Sequence, residues 1–362
     1  MLARLEVRAR RVEAPRALSR GAGDGSVAPQ RFRGLDAARA LACAWVVLFH
    51  AGGQGPLAER GHGSFVHALA SVGYLGVDAF IVLSGVVVAR SATPWPGLLR
   101  FLDARFRRLF PLYALVVLAL AAGAYVRGTH HGLLAAYPNG LDLLAHLTFT
   151  HVFFASTLYS FLPPAWSLGL EWWLYASYAA LQRLGKYLAP ATFVISAVTL
   201  VTLRALGHEA DEPGVVVLAR LWQFGCGAAL APHLGRWKPS PSLFAGVVAL
   251  LGAISWYDNV VDPWMFRVSR LTEPVLWVTV FGALAAIDAR HFEKGFGKWI
   301  AKRGDASYAV YLTHDPLLRA MHGAPLFEAH RFVVGLGGAY LLGELVHVAL
   351  EKPLGRALRR RG

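Results

Sequence analysis

The chain's 362 residues are 56% hydrophobic and only 16% charged, whereas soluble domains run near 45–50% apolar and about 25% charged. That balance excludes an ordinary soluble domain and predicts an all-α, polytopic membrane protein. The net charge of +14, from 36 Lys and Arg against 22 Asp and Glu, would suggest nucleic acid in a soluble protein. Here it concentrates in alternate loops, so no nucleic-acid partner is expected.

In chain order, residues 1–30 are rich in Arg, Ala, Gly and Pro and hold no apolar run. They predict a disordered basic cytoplasmic tail rather than a cleavable signal peptide. Residues 31–53, RFRGLDAARALACAWVVLFHAGG, follow, an apolar stretch interrupted by Asp36, Arg39 and His50. Ionisable groups kept inside a spanning helix usually face a cavity, a partner or a pathway. Arg39 and His50 are eleven residues apart. At roughly 100° per residue that spacing returns the helix to within about 20° of its starting direction, and a rise of about 1.5 Å per residue separates the two by roughly 16 Å. Asp36 lies on nearly the same stripe. A cation at one level and an imidazole deeper suit a long anionic molecule gripped at one end and reacted at the other. Singly, Arg39 could as well snorkel to the headgroups and His50 could be an interhelical hydrogen-bonding group; their shared stripe favours function.

Apolar runs predict about ten spans, with the first near 35–52 and the second near 69–89, which carries Asp78. Before the third, near 109–126, stand Arg100, Arg105, Arg107 and Arg108, ahead of Pro111. Loop anchoring explains arginines here. Their clustering, with Arg105 and Arg108 at i,i+3 and Arg39 at the same membrane face, also suits a nucleotide-like phosphate ligand. The loop from about 127 to 163 holds His130, His131, His146 and His151. Their spacing matches no zinc pattern, so they are expected to be ordinary loop histidines. The run LDLLAHLTFTHVFF within it is short for a span and reads as re-entrant or interfacial.

The fourth span, near 164–182, opens PPAWSLGLEWWLY, with Ser167 and Glu171 at i,i+4. Glu171 reads as a capping or paired carboxylate, and Trp166, Trp172 and Trp173 as interfacial aromatics. Equally, rings beside a carboxylate could hold a sugar. Spans five to eight fall near 188–206, 214–232, 242–257 and 272–289. The ninth, near 305–321, carries Ser307, Tyr311 and His314 at i, i+4 and i+7, one polar stripe followed by Asp315 and Pro316. The tenth is near 332–350. Cys43 and Cys226 both fall in apolar runs and predict neither a disulfide nor a metal site.

With the N-terminus placed in the cytoplasm, ten spans put 28 of the 36 Lys and Arg on that side. The far side keeps Arg60, Arg127, Arg204, Arg220, Arg267, Arg270, Arg319 and Arg331. That bias predicts both termini in the cytoplasm. Ser84, in VLSGV, lacks a hydrolase nucleophile elbow, and no P-loop or Rossmann glycine pattern appears.

In order along the chain, LDAAR with His50, GVDAFIVLSG, RFRRLFPLY, AWSLGLEWWLY, SYAVYLTHDP and the terminal EKP at 351–353 resemble the signatures of acyltransferase family 3, the bacterial membrane O-acyltransferases. The resemblance covers roughly residues 31–354 as one membrane domain, leaving 355–362 as a basic C-terminal tail. Ala37 and Ala40 stand where the family often has glycine, and Ile81 where it has a second phenylalanine; these alter packing rather than the ionisable set. No soluble hydrolase-like domain follows, as it does in some members.

The resemblance implies transfer of an acyl group, commonly acetyl, from cytoplasmic acyl-CoA as co-substrate, with no metal. The acceptor would be a hydroxyl of an extracytoplasmic glycan or lipid-linked saccharide, and the location the bacterial cytoplasmic (inner) membrane. The candidate catalytic residues are His50, as general base or covalent relay, and Glu171. Arg39, Arg105 and Arg108 are the candidates for acyl-CoA; Asp36, Asp78, Trp166, Ser167, Tyr311 and His314 are those for the acceptor and its surroundings. The competing class is a multi-span transporter or permease without chemistry. Against it stand the Arg39–His50 spacing, the arginine pair and the lack of a repeated half.

Overall fold

A computed structural model describes residues 31–53, 65–92, 95–127, 140–209, 211–260, 269–287 and 291–359. The expected tail over 1–30 lies outside the described residues, as do His130, His131, Arg60 and Arg267. Among the described residues every regular element is helical. The longer helices are α1 (Arg33–Leu48), α2 (Leu75–Ser91), α3 (Leu98–Arg127), α4 (Trp166–Leu181) and α5 (Leu188–Ala205). They continue with α6 (Leu221–Leu230), α7 (Pro241–Val260), α8 (Ser269–Ala286), α9 (Ser307–Met321) and α10 (Arg331–Val346). Each coincides with one of the predicted apolar runs, in order.

Among the described residues four stretches are long and apolar enough to cross a membrane: Arg33–Gly52, Leu98–Val126, Pro163–Ala205 and Arg331–Leu358. The third runs through both α4 and α5, which meet at a bend where Gly185 takes φ 53° and ψ −119°, a left-handed conformation open mainly to glycine. The outward faces of α3, α5 and α10 are apolar, with Leu118, Val198 and Leu341 all exposed. Water would penalise such surfaces, whereas lipid accepts them.

α1 is the buried centre, packing against α2, α8, α9 and α10. One face places Cys43, Val46 and Val47 in the largest apolar cluster with Leu112, Leu174 and Leu312. Another places Phe32, Leu35 and Ala42 in a second cluster with Val82, Val86 and Phe281. The α-helix ends at Leu48, and Phe49–Gly53 form a π-helical turn, a local widening that recurs at functional sites. The 3.6-residue phase counted from Arg39 is therefore interrupted before His50.

Close approach of α2 and α6 rests on two glycines. A Cβ on Gly85 would sit 2.1 Å from the Phe224 carbonyl oxygen, and one on Gly227 would sit 1.9 Å from that of Val82. Small residues let backbones approach in this way where lipid gives no hydrophobic drive to helix pairing.

Candidate functional site

A cavity of about 510 Å³ runs through the bundle between α1, α2, α3, α4 and α9, within the usual range for ligand sites, about 300–1,000 Å³. Val77 and Val87 both line it, and ten residues of one helix give it a length of roughly 15 Å. Arg31, Arg39 and Arg108 stand toward one end with Asp305 and Glu351; Ser84, Glu171, Tyr175 and Tyr308 line the middle; Ser167 and Tyr311 lie toward the other.

The cationic end is partly neutralised. Arg39 lies 3.3 Å from Asp36, and Arg31 is 2.7 Å from Asp36 and also pairs with Asp305. Asp36 is thus an internal counter-ion for two arginines rather than a cavity-lining group. Arg108 is exposed to the cavity and makes no hydrogen bond among the described residues. Arg105 does not line it. Its guanidinium donates to Ser91 Oγ and lies 5.4 Å from the Phe101 ring centre and 5.7 Å from that of Tyr175. Three helical positions leave two side chains roughly 60° apart, and the pair divides accordingly, Arg108 toward the cavity and Arg105 behind its wall.

In the middle, Glu171 Oε1 accepts hydrogen bonds from Ser84 Oγ, at 2.5 Å, and from the Tyr175 hydroxyl. The carboxylate is therefore held in one rotamer by two donors from different helices. Tyr175 follows Glu171 at i+4, a spacing legible in the sequence; the Ser84 partner, 87 positions away, is not. Tyr308 donates to the Leu109 carbonyl at 2.5 Å, fixing its ring on the wall.

At the inner end the Tyr311 hydroxyl lies 2.7 Å from Ser167 Oγ and 3.0 Å from the Pro164 carbonyl. Behind Tyr311, outside the cavity lining, sits His314, its ring centre 5.5 Å from that of Tyr311 and 5.1 Å from that of His50. Each imidazole is oriented by the backbone. His50 Nδ1 donates to the Val46 carbonyl at 3.2 Å, and His314 Nδ1 to that of Tyr311 at 2.6 Å. In a neutral ring the proton on Nδ1 leaves Nε2 as the basic nitrogen, and His314 Nε2 is buried without a hydrogen-bond partner. Arg39 thus lines the cavity directly, whereas His50 stands beyond its inner end.

Asp78 and Trp166 lie elsewhere. Asp78, 1% exposed, pairs with Arg220 and, at 3.1 Å, with Arg270. Both arginines also bind Asp211, each at 2.8 Å, so the four charges close into a ring. Gln223 Nε2 adds a bond to Asp78 at 3.1 Å. Burying an ion costs several kcal/mol unless it is paired, and here each arginine faces two carboxylates. Arg220 lies 5.1 Å from the Trp166 ring centre. The pattern of isolated far-side arginines gave no signal of this ring, because its members are 142 and 192 positions from Asp78.

The loop histidines also pack inward. The His146 and His151 rings stack, 4.2 Å apart and 7° from parallel. Tyr113 Oη lies 2.7 Å from His146 Nδ1 and Ser160 Oγ 3.0 Å from its Nε2, while His151 Nε2 donates to the Ala165 carbonyl at 3.1 Å. Burial pushes both imidazoles down, His146 to about 3 and His151 to about 4. Among the described residues no group of three His, Cys, Asp or Glu side chains is placed to hold a metal ion.

Residues 32–342 match a family model described as an acyltransferase domain. The chain is 29% identical to BcsY of Komagataeibacter xylinus, named a membrane-bound transacylase, over 91% of this chain and 82% of that protein. It is 26% identical to the acyltransferase MdmB of Streptomyces mycarofaciens, over 91% of this chain and 93% of that one. It is 23% identical to the peptidoglycan O-acetyltransferase OatA of Listeria monocytogenes, over 88% of this chain and 55% of OatA. No solved structure matches the chain. With the family match spanning most of its length, the chain belongs to acyltransferase family 3 and is an acyltransferase.

Proposed function

We propose that the protein transfers an acyl group, commonly acetyl, from acyl-CoA to a hydroxyl of an extracytoplasmic glycan or lipid-linked saccharide. The observation carrying this is the cavity with Arg39 and Arg108 at one end and Glu171, Ser167 and Tyr311 farther in. Guanidinium groups suit the phosphates of CoA, and the cavity's roughly 15 Å reach along α2 suits a long donor whose thioester lies deeper. In the transfer the acceptor oxygen attacks the thioester carbonyl, the carbon–sulfur bond breaks, and CoA leaves as the thiol. The acceptor's proton passes to a base, for which His50 Nε2 and Glu171 are the candidates, and from it to the leaving sulfur. A covalent acyl relay through His50 gives the same balance in two steps. The name of OatA, a peptidoglycan O-acetyltransferase, supports a glycan acceptor.

The topology belongs to the same proposal: ten spans in the cytoplasmic membrane of a bacterium, both termini inside, the Arg39 end facing the cytoplasm. The alternation of helix direction supports it. The C-terminus of α1 and the N-termini of α2, α4, α6 and α8 meet around one small cavity, which is lined by Phe49, Tyr74, Trp166, Arg220 and Arg270. The test compares surface glycans from a deletion strain and its complemented parent by NMR and mass spectrometry. Base-labile acyl esters should disappear with the gene and return with it; identical glycans would overturn the acceptor assignment.

A further inference from the structure

We propose that the small cavity beneath Trp166 is the acceptor site, and that it takes one uncharged pyranose ring. This rests on the acyl-transfer function proposed above and names the class of group received. The cavity measures about 330 Å³, at the low end of ligand sites, which suits a single sugar ring with the rest of a chain outside.

Its position is the first argument. Val77 lines both cavities. Trp166 lines the small one and its chain neighbour Ser167 the large one. Phe49 lines the small one, and its ring centre is 5.2 Å from that of the adjoining His50. The wall between the cavities is therefore thin; Tyr311 lines the large cavity, and the rings of His314 and then His50 follow from it to Phe49 of the small one. A donor in the large cavity and an acceptor in the small one would thus stand at the two ends of this row of rings, which contains both imidazoles.

The lining chemistry is the second argument. The rings of Phe49, Tyr74 and Trp166 line the cavity and suit the C–H surface of a sugar, and Asp211 lines it as an acceptor for the sugar's hydroxyls. Charge selects the class of sugar. Arg220 and Arg270 each already bind both Asp78 and Asp211, and the buried Glu273 carboxyl lies against Asp78 and Arg270, so neither guanidinium is left bare for an anion. Asp78 is sealed in, whereas the Asp211 side chain keeps 35% of its surface exposed. A partly exposed carboxylate at the cavity favours hydroxyl groups over a carboxylated or phosphorylated sugar.

The experiment uses the full chain in lipid nanodiscs, with saturation-transfer NMR on three probes: methyl β-glucopyranoside, methyl N-acetyl-β-glucosaminide and methyl β-glucuronide. The parent should bind at least one uncharged glycoside saturably without donor, and the glucuronide more weakly. Asp211→Asn, which keeps shape, and Trp166→Ala should each weaken that binding tenfold or more, while acetyl-CoA affinity stays within twofold. Thermal melting checks folding, and Trp166→Phe replaces the alanine variant if that one does not fold. Absence of saturable binding of both uncharged probes to the parent overturns the proposal, as does equal binding by folded variants or tighter binding of the glucuronide. A parent that binds glycoside but not acetyl-CoA instead overturns the donor assignment and leaves the acceptor site standing.

Discussion

The imidazole of His50 meets that of His314 edge-on, ring centres 5.1 Å apart and planes 74° apart. Both rings direct Nδ1–H to a main-chain carbonyl of their own helix, so the pair presents its Nε2 atoms as the available basic nitrogens. Removing a general base typically costs about 10²–10⁴-fold in rate. His50→Ala should lower acyl transfer by that range or more while acetyl-CoA binding persists. His314→Ala should cost less, since its contact with the cavity runs through Tyr311. The assay is steady-state transfer with donor affinity measured in parallel. Near-parental turnover in folded His50→Ala would make that histidine a packing residue and direct attention to His314.

The arginines should separate by function. Arg108 faces the cavity, and hydrogen bonds to charged groups contribute about 1.5–3 kcal/mol, roughly ten- to a hundredfold in affinity. Arg108→Ala should weaken acetyl-CoA binding by that factor, and Arg108→Lys should restore it only in part, because an ammonium lacks the bidentate fork. Raising ionic strength should weaken donor binding to the parent. Arg105→Ala should act chiefly through stability, lowering the melting temperature by loosening the packing of Ser91, Phe101 and Tyr175. Calorimetric titration and thermal melting distinguish the two effects; unchanged donor affinity in Arg39→Ala, Arg105→Ala and Arg108→Ala alike would leave all three as topology anchors.

The stacked loop histidines set an acid limit on stability. Their native pKa values, about 3 for His146 and about 4 for His151, lie below the unfolded value of about 6.5. Between those limits the unfolded chain binds more protons than the native one, so stability is fully present above about pH 6.5 and declines as pH falls toward 4 and 3. The melting temperature should fall between pH 7 and pH 4.5. His151→Gln, which keeps an N–H donor for the Ala165 carbonyl, should flatten that slope. An equally steep slope in the variant would assign the acid sensitivity to other groups.

Topology is testable apart from chemistry. Reporter fusions at Gly21 and Arg361 should both report the cytoplasm, and one near Pro138 the opposite side. Termini on opposite sides would contradict the even number of spans.

What the sequence made legible follows from the range of the interactions. Each apolar run became a helix, because composition within a run and turn residues at its ends act locally. Ser167 and Glu171, four apart on one helix, could be placed on one wall from spacing alone. The ion ring of Asp78, Arg220, Asp211 and Arg270 could not, since it joins segments far apart in the chain. The π turn at Phe49–Gly53 has no simple periodic signature, so the stripe joining Arg39 to His50 described direction less well than depth. Tyr175, Ser84 and Tyr308 read as ordinary helix residues until the fold set them around Glu171 and the cavity.

The most direct test is transfer of labelled acetyl from acetyl-CoA to a defined glycan in proteoliposomes, comparing the parent with Glu171→Gln and with the paired Arg39→Ala, Arg108→Ala variant. The parent should place base-labile label on the glycan, the paired arginine variant should need far more donor to do so, and Glu171→Gln should turn over slowly with donor affinity intact. A folded parent that binds acetyl-CoA yet leaves the glycan unlabelled, or transfer unchanged in the paired arginine variant, would contradict an acyl donor held at the arginine end of this cavity.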